Sequence, residues 1–551
     1  MIDEKIKVDL VKSFTEKKYK RVINIIEDEI HADDLSSQIL NILGAAKLLD
    51  SDKNDINIIL DCFKKAYDKE KTTKQALEAL INFIQLTITH NKAKLSLPLI
   101  EEALNHFKYE KKLMFQIFRV YLKLNNVEKA IFFLKTLIKN NDADKEIICT
   151  YMYLNLMENN WTQEDYFKFS KNLPKILIDH KKDNFVELTK TKQKPIKIGF
   201  LSADIIKKHS VTYFLRSILI NKDDEQFETI FISNIDPKKE DDTTREFEIL
   251  FDDRIDIFSK NDLDATNILR AKKIDIVIDL MSITSDNRIE LLKNRVAPIQ
   301  ISWMGFCNTS GIKEIDYILS DKNLILENEV NLYSEKVIYL NKIWNCHSGI
   351  NSKRFKVDPP SLKNGFITFG SFNNFLKLSN KNIEIWAEIL KKVKNSKLIL
   401  KSSRHKEVEI IQNKFESYGI KNQIIFESIR NFDDHLKLYD EIDIALDTFP
   451  YTGVTTTFEA IWKGVPVLTL NGNNFTSRCG KSINKNLGTD WLVATNYKDY
   501  VEKACFLSTD KNKLLELRNF IFENSLKSPL FDVNSFRENF YQTLLNIYNK
   551  I

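Results

Sequence analysis

Ile442-Asp-Ile-Ala-Leu446 runs directly into Asp447-Thr-Phe-Pro-Tyr-Thr-Gly453-Val-Thr-Thr-Thr-Phe-Glu459-Ala-Ile-Trp462, and this stretch decides the fold. A short run rich in β-branched and aliphatic residues ends in a polar loop carrying proline and glycine, and a helical pattern follows. That is the strand, loop and helix of a parallel α/β unit. Gly453 lets the backbone approach another group closely, and Thr455 to Thr457 offer hydroxyls and N–H groups at a helix start. Glu459 lies one turn into the helix, where its carboxylate can accept ribose hydroxyls. As bare sequence the three threonines equally suit a helix cap.

The unit recurs on both sides. After Pro359-Pro360, strands read at Phe366–Phe369, Lys397–Leu400, Ile424–Phe426, Ile442–Leu446, Pro466–Leu470 and Trp491–Ala494; before them, at Ile196–Ser202, Phe227–Ser233, Ile274–Leu280 and Ile299–Trp303. Two doubly wound lobes are predicted, 196–355 and 356–551, with ligands beyond the carboxyl ends of the strands. The loop Gly370-Ser-Phe-Asn-Asn-Phe-Leu-Lys377 delivers a lysine just before a helix from about 380, a combination of point charge and free N–H groups suited to a diphosphate. Neither loop spells G-x-x-x-x-G-K-[ST] or G-x-G-x-x-G, which counts against kinase-like and hydride-transfer chemistry.

The first third is different. Gly44 is the only glycine before Gly199, and prolines there are only Pro98, Pro174 and Pro195. So few breakers predict long helices, at about 8 to 30, 36 to 50, 55 to 68, 73 to 89, 94 to 107, 111 to 124, 127 to 138 and 146 to 157. Short paired helices suggest an all-α solenoid of the tetratricopeptide (TPR) kind over 1–181, a plain helical bundle being the alternative. Polar, basic residues 182–195 read as a linker.

Composition narrows the class. With 82 basic and 77 acidic residues the net charge is +5 over 551 residues, too weak a field to point to nucleic acid. The six cysteines are scattered without C-x-x-C or zinc spacing, as in a reduced cytosolic protein. No run approaches the ~18 apolar residues of a membrane span, and the amphipathic N-terminus is no secretory signal, so a cytoplasmic location is expected.

Five ordered segments carry a resemblance: KHSVTYF (208–214), APIQISWMGFCNTSG (297–311), IDYILSD (315–321), NGFITFGSFNNFLK (364–377) and DIALDTFPYTGVTTTFEAIWKGVPVLTL (443–470). Residues 196–550 resemble the catalytic region of the O-linked N-acetylglucosamine transferase family, most of all its SPINDLY branch, whose plant members are protein O-fucosyltransferases. The resemblance implies an α/β GT-B fold of two facing Rossmann-like lobes, preceded by TPR-like repeats that bind an acceptor protein. It implies that Lys377 holds the donor diphosphate and stabilises the leaving group. Asn374 takes a donor-contacting position, and Thr455, Thr456 and Glu459 the phosphate and ribose contacts. His435 packs against the nucleobase, His209 lines the cleft between donor and acceptor, and Thr309-Ser310-Gly311 approaches the sugar. Where the family loop usually carries Gly-His-Thr or Gly-Tyr-Thr this chain has Met281-Ser282-Ile283-Thr284, keeping only Thr284; Cys307 replaces a usual proline; and Gly453-Val454-Thr455-Thr456 lacks the histidine of many bacterial members, as the fucosyl branch does.

The expected activity is inverting transfer of N-acetylglucosamine from UDP-GlcNAc, or fucose from GDP-fucose, to serine or threonine of a protein. The alternatives are an inactive scaffold, an N-glycosyltransferase, or a GT-B enzyme with a small-molecule acceptor. The Asp-x-Asp spelling within residues 196–551, Asp262-Leu-Asp264, reads as a helix N-terminus, so no metal is expected; Lys377 and the helix start after Gly453 supply the charge stabilisation, with His209 as the available imidazole.

Overall fold

The computed structural model describes residues 3–50, 55–158, 161–177, 188–191, 194–207, 209–223, 225–350, 352–402, 405–428 and 431–550. They fall into two compact units, Met1–Ala143 and Asp144–Ile551.

In the first unit, helices Ser37–Leu49, Ile56–Lys69 and Lys74–Thr89 pack in series, and Lys111–Lys123 packs on Val127–Lys139. Turns that would use glycine elsewhere are made here by asparagine, lysine and tyrosine: Lys17, Asn91, Tyr109, Asn125 and Asn141 all have φ between 52° and 65°. Asparagine tolerates this left-handed region better than most residues, which reconciles the glycine shortage with frequent turns. Lys17 also breaks the helix predicted from 8 to 30 into Glu4–Thr15 and Tyr19–Asn24.

The first unit ends at Ala143, whereas the sequence reading carried the helical domain to 181. Helices Lys145–Met157, Gln163–Ser170 and Leu173–Ile176 pack within the second unit. Lys145 Nζ lies 2.6 Å from Glu290 Oε2, and the carboxamides of Gln163 and Asn308 exchange hydrogen bonds of 2.9 and 3.2 Å. Residues 182–187 and 192–193 of the expected linker lie outside the described residues; Thr191 donates its N–H to Asp275 Oδ1 at 2.8 Å.

Each lobe holds one all-parallel sheet. The first comprises β1 (Ile196–Ser202), β2 (Phe227–Ser233), β3 (Asp253–Asp256), β4 (Ile276–Asp279), β5 (Ile299–Ser302), β6 (Tyr317–Ser320) and β7 (Lys336–Tyr339), in the order β3-β2-β1-β4-β5-β6-β7. The second comprises β8 (Thr368–Ser371), β9 (Lys397–Lys401), β10 (Ile424–Glu427), β11 (Ile444–Leu446), β12 (Val467–Leu470) and β13 (Val493–Ala494), in the order β10-β9-β8-β11-β12-β13. Strands β3, β6 and β7 were not anticipated from the sequence. Central strands are buried on both faces, hence their unbroken apolar runs: Ile198, Phe200 and Leu201 of β1 and Ile276, Val277 and Ile278 of β4 are wholly enclosed.

The last helix, Val533–Lys550, returns to the first lobe, where Phe540 meets Trp303 at 4.6 Å between ring centroids and Tyr541 meets Phe227 at 4.7 Å. Ser482 Oγ donates to Asp321 at 2.6 Å, and Arg478 pairs with Glu329, tying the lobes directly. Strand order reverses between β1 and β4 and again between β8 and β11, so each lobe has its switch point at those strand ends.

Candidate active site

At the β8/β11 switch point the two loops singled out in the sequence meet. Lys377 ends the short turn Phe375–Lys377 and donates to the Thr452 carbonyl at 3.0 Å, its ammonium 4.4 Å over the Tyr451 ring. Burial lowers the Lys377 pKa, with the nearby Asp447 carboxylate opposing it. Asp447 accepts from Gly453 N–H at 2.7 Å and Thr469 hydroxyl at 2.7 Å, folding the loop back on itself; burial pushes its pKa up to about 6.

Helix Thr455–Trp462 starts without a side-chain cap. Its first bonded N–H groups are those of Thr457 and Phe458, both to Val454 O; those of Thr455 and Thr456 donate to no acceptor among the described residues. Orphan donors at the positive end of a helix are chemically suited to an anion, and the Lys377 ammonium is bonded to Thr452, three residues before the helix start. The threonine hydroxyls are not caps: Thr456 donates to Asn373 Oδ1 at 2.9 Å and Thr457 to Gly453 O at 3.2 Å. Gly453 is required sterically, since a Cβ there would sit 2.6 Å from Thr456 Oγ1 and 2.9 Å from Asn373 Oδ1.

Asn373, missed in the sequence, is thus the carboxamide that binds both loops; its Nδ2 also reaches Asp447 at 3.5 Å. Asn374, the expected contact, is exposed, and its side chain accepts from Leu376 N–H at 3.0 Å to hold the turn.

His435 and Glu459, carried over separately, are joined: His435 Nε2 and Glu459 Oε2 lie 2.9 Å apart, and Tyr439 hydroxyl donates to the same oxygen at 2.9 Å. Burial works against the Glu459 charge, but the His435 bond and charge, followed by Lys401, hold its pKa below the usual carboxylate range. Lys401, also missed, closes β9 with its Nζ 3.1 and 3.3 Å from the two imidazole nitrogens. Phe372 and Tyr439 present their edges to the His435 ring at 5.8 and 5.3 Å.

The first lobe contributes less directly. His209 follows β1 and caps helix Ser210–Leu219; its Nε2 is 3.5 Å from Asp204 Oδ1, and its Nδ1 is buried without a partner. Thr309 is fully buried and gives its hydroxyl to Glu335 Oε2 at 2.5 Å, with Ser310 doing the same to Oε1 at 2.5 Å. Those hydroxyls hold the β5 loop. Thr284 donates to Met281 O at 2.8 Å and closes its own turn. Asp262 and Asp264 open helix Asp262–Ala271, Asp262 paired with Arg288 at 2.7 Å.

The family model of glycosyl transferase family 41 matches residues 169–350 and 352–540. The chain belongs to that family. The family 41 chain is 33% identical over 368 residues to a probable UDP-N-acetylglucosamine–peptide N-acetylglucosaminyltransferase SPINDLY of Solanum lycopersicum, a match covering 64% of this chain and 38% of that protein. It is 34% identical over 372 residues to the protein of the same description in Eustoma exaltatum, covering 66% and 40%. The chain therefore spans about two fifths of the length of these relatives. Among solved structures, a variant of the Thermobaculum terrenum O-GlcNAc transferase superimposes with a TM-score of 0.78 over 95% of this chain and 99% of that one, at 22% identity. The architecture is the GT-B fold preceded by a helical TPR-like region. Within this family 41 framework the first-lobe loop with Met281 to Thr284 is held at its start by Asp279, which accepts from the N–H groups of Met281 and Ser282 at 3.0 and 2.9 Å, and burial pushes the Asp279 pKa up to about 7. No helix among the described residues is long and apolar enough to cross a membrane.

Proposed function

We propose that this chain transfers a sugar from a nucleoside-diphosphate sugar to a serine or threonine hydroxyl of a protein, with inversion and without a metal. The observation that carries this reading is the meeting of the loops after β8 and β11 at their switch point. There the Lys377 ammonium, held at 3.0 Å on Thr452 O, adjoins a helix start with two unbonded N–H groups. Charge develops on the departing diphosphate as the glycosidic bond breaks, and fixed donors in a water-poor site stabilise it without reorganising. Gly453, Thr455 and Thr456 belong to the phosphate subsite, Asn374 and Asn373 to the turn that shapes it, and His435 and Glu459 to the nucleoside subsite. His209, at the start of the helix after β1, is the first-lobe imidazole that would take the acceptor proton. Thr284 and Thr309 act by holding their loops.

The relatives' names specify a UDP-N-acetylglucosamine donor and a peptide acceptor; UDP-GlcNAc and GDP-fucose are the two donors to be compared, and the TPR-like unit would hold the acceptor protein. The test is incubation of the protein with each labelled donor and a cell extract, with and without chelator, followed by mass spectrometry. Chelator-resistant label on serine or threonine supports the reading. Label on asparagine, or binding of nucleotide sugar with neither transfer nor hydrolysis, overturns it.

A further inference from the structure

Helix Lys145–Met157 belongs to neither sheet, yet it places a side chain between the two lobes' loops. The Tyr153 ring lies 6.3 Å from Phe306, in the loop after β5, and 5.9 Å from Tyr451, in the loop after β11. Tyr451 is the ring over which the Lys377 ammonium sits. The helix cannot drift from this position: the Lys145–Glu290 ion pair fixes its start, and the next helix is clamped to the β5 loop through Gln163 and Asn308. A side chain at Gly311 would strike Ser170 O at 2.3 Å, so the two segments touch backbone to backbone.

The Tyr153 hydroxyl makes no hydrogen bond among the described residues, and it is not one of the buried unpaired oxygens. Burial of the ring pushes the phenol up to about 12, so the group is a neutral donor throughout the ordinary pH range. Packing alone would be served as well by phenylalanine, the residue at 306 on the same ring cluster. A half-buried donor held by fixed aromatic rings, one ring removed from the ammonium that faces the diphosphate, is placed for a polar group attached to that diphosphate.

Resting on the transferase reading above, we propose that Tyr153 is a specificity-determining residue whose hydroxyl donates a hydrogen bond to a ring hydroxyl of the sugar being transferred. The donor subsite is then completed by a helix that precedes both lobes. A site built to bond a substrate hydroxyl loses affinity when its donor is removed, while the part of the ligand beyond its reach binds as before.

The test is calorimetric titration of the wild-type protein and Tyr153→Phe with GDP, GDP-fucose, UDP and UDP-N-acetylglucosamine. Tyr153→Phe keeps the ring, and a thermal melt confirms that the fold is unchanged. For whichever donor the wild-type protein binds, the variant should bind the nucleotide sugar about tenfold more weakly and the matching nucleoside diphosphate within about twofold of wild type. Equal weakening of both ligands would mean that Tyr153 acts only through Tyr451 and Lys377, and no weakening of either would mean that it is a packing residue; both overturn the proposal. Failure of the wild-type protein to bind any of the four ligands overturns the transferase reading itself.

Discussion

Replacing Lys377 by methionine separates catalysis from folding. The methionine keeps an apolar stem of similar length but deletes the hydrogen bond to Thr452 O and the ammonium over Tyr451. Each loss costs about 1 kcal/mol. Against them stands relief from holding a buried cation, whose pKa is already lowered by desolvation. The terms oppose, so stability should stay within about 2 kcal/mol of wild type, a few degrees in a thermal melt. Catalysis has no such compensation. Loss of one well-placed electrostatic donor costs about 3 to 4 kcal/mol in the transition state, or roughly 150- to 900-fold in kcat. The assay is the initial rate of transfer of labelled sugar onto protein at saturating donor, beside a melt of the same sample. A folded variant turning over within threefold of wild type would refute the role given to Lys377.

Asn373→Ala should weaken nucleoside-diphosphate binding about tenfold, because Thr456 loses its acceptor and the two loops lose their common tie, whereas Asn374→Ala should leave binding within twofold; calorimetry on both variants decides between the neighbours. Gly453→Ala should destabilise the protein by about 1 to 3 kcal/mol and weaken the same ligand, since its Cβ would meet Thr456 Oγ1 at 2.6 Å; denaturant melts with and without nucleotide measure both effects. His347 is enclosed between the lobes, its ring stacked 5.2 Å from Tyr213, and burial lowers its pKa to about 4. The unfolded chain, near 6.5, binds the extra proton first, so this group's stability is complete above pH 6.5 and is lost as pH falls toward 4. Wild type should lose about 2 kcal/mol from this source between pH 7 and pH 5, and His347→Gln should not; denaturant titrations at the two pH values compare them.

Much of the architecture was readable because parallel strands buried on both faces become uninterrupted β-branched runs, as in Ile276–Asp279. The three missed strands lack that signature. β3, Asp253-Arg-Ile-Asp256, and β7, whose Lys336 is exposed, form the edges of their sheet and carry charged residues on water-facing positions, while the apolar core of β6 is only Tyr317-Ile-Leu319, closed on both sides by aspartates. The meeting of the two loops proposed to hold phosphate was legible because their parts are local: Lys377 follows β8 by six residues and Thr455 opens the helix after β11. Sequence spacing alone could not separate Asn373 from Asn374, since which of two adjacent side chains turns inward depends on the turn's geometry. Lys401 and Tyr153 were invisible for a different reason. Lys401 meets His435 across 34 positions, and Tyr153 meets Tyr451 from a helix assigned to another domain. Thr309 was equally hidden in part: its hydroxyl is bound to Glu335, 26 positions away, a pairing that spacing in the sequence does not show.

Crystals of the protein soaked with UDP or GDP put the account to its most direct test. Electron density for the two phosphates should appear against Lys377 Nζ and the N–H groups of Thr455 and Thr456, with the ribose on Glu459. A nucleotide bound at any other place, with those donors still facing solvent, would contradict it.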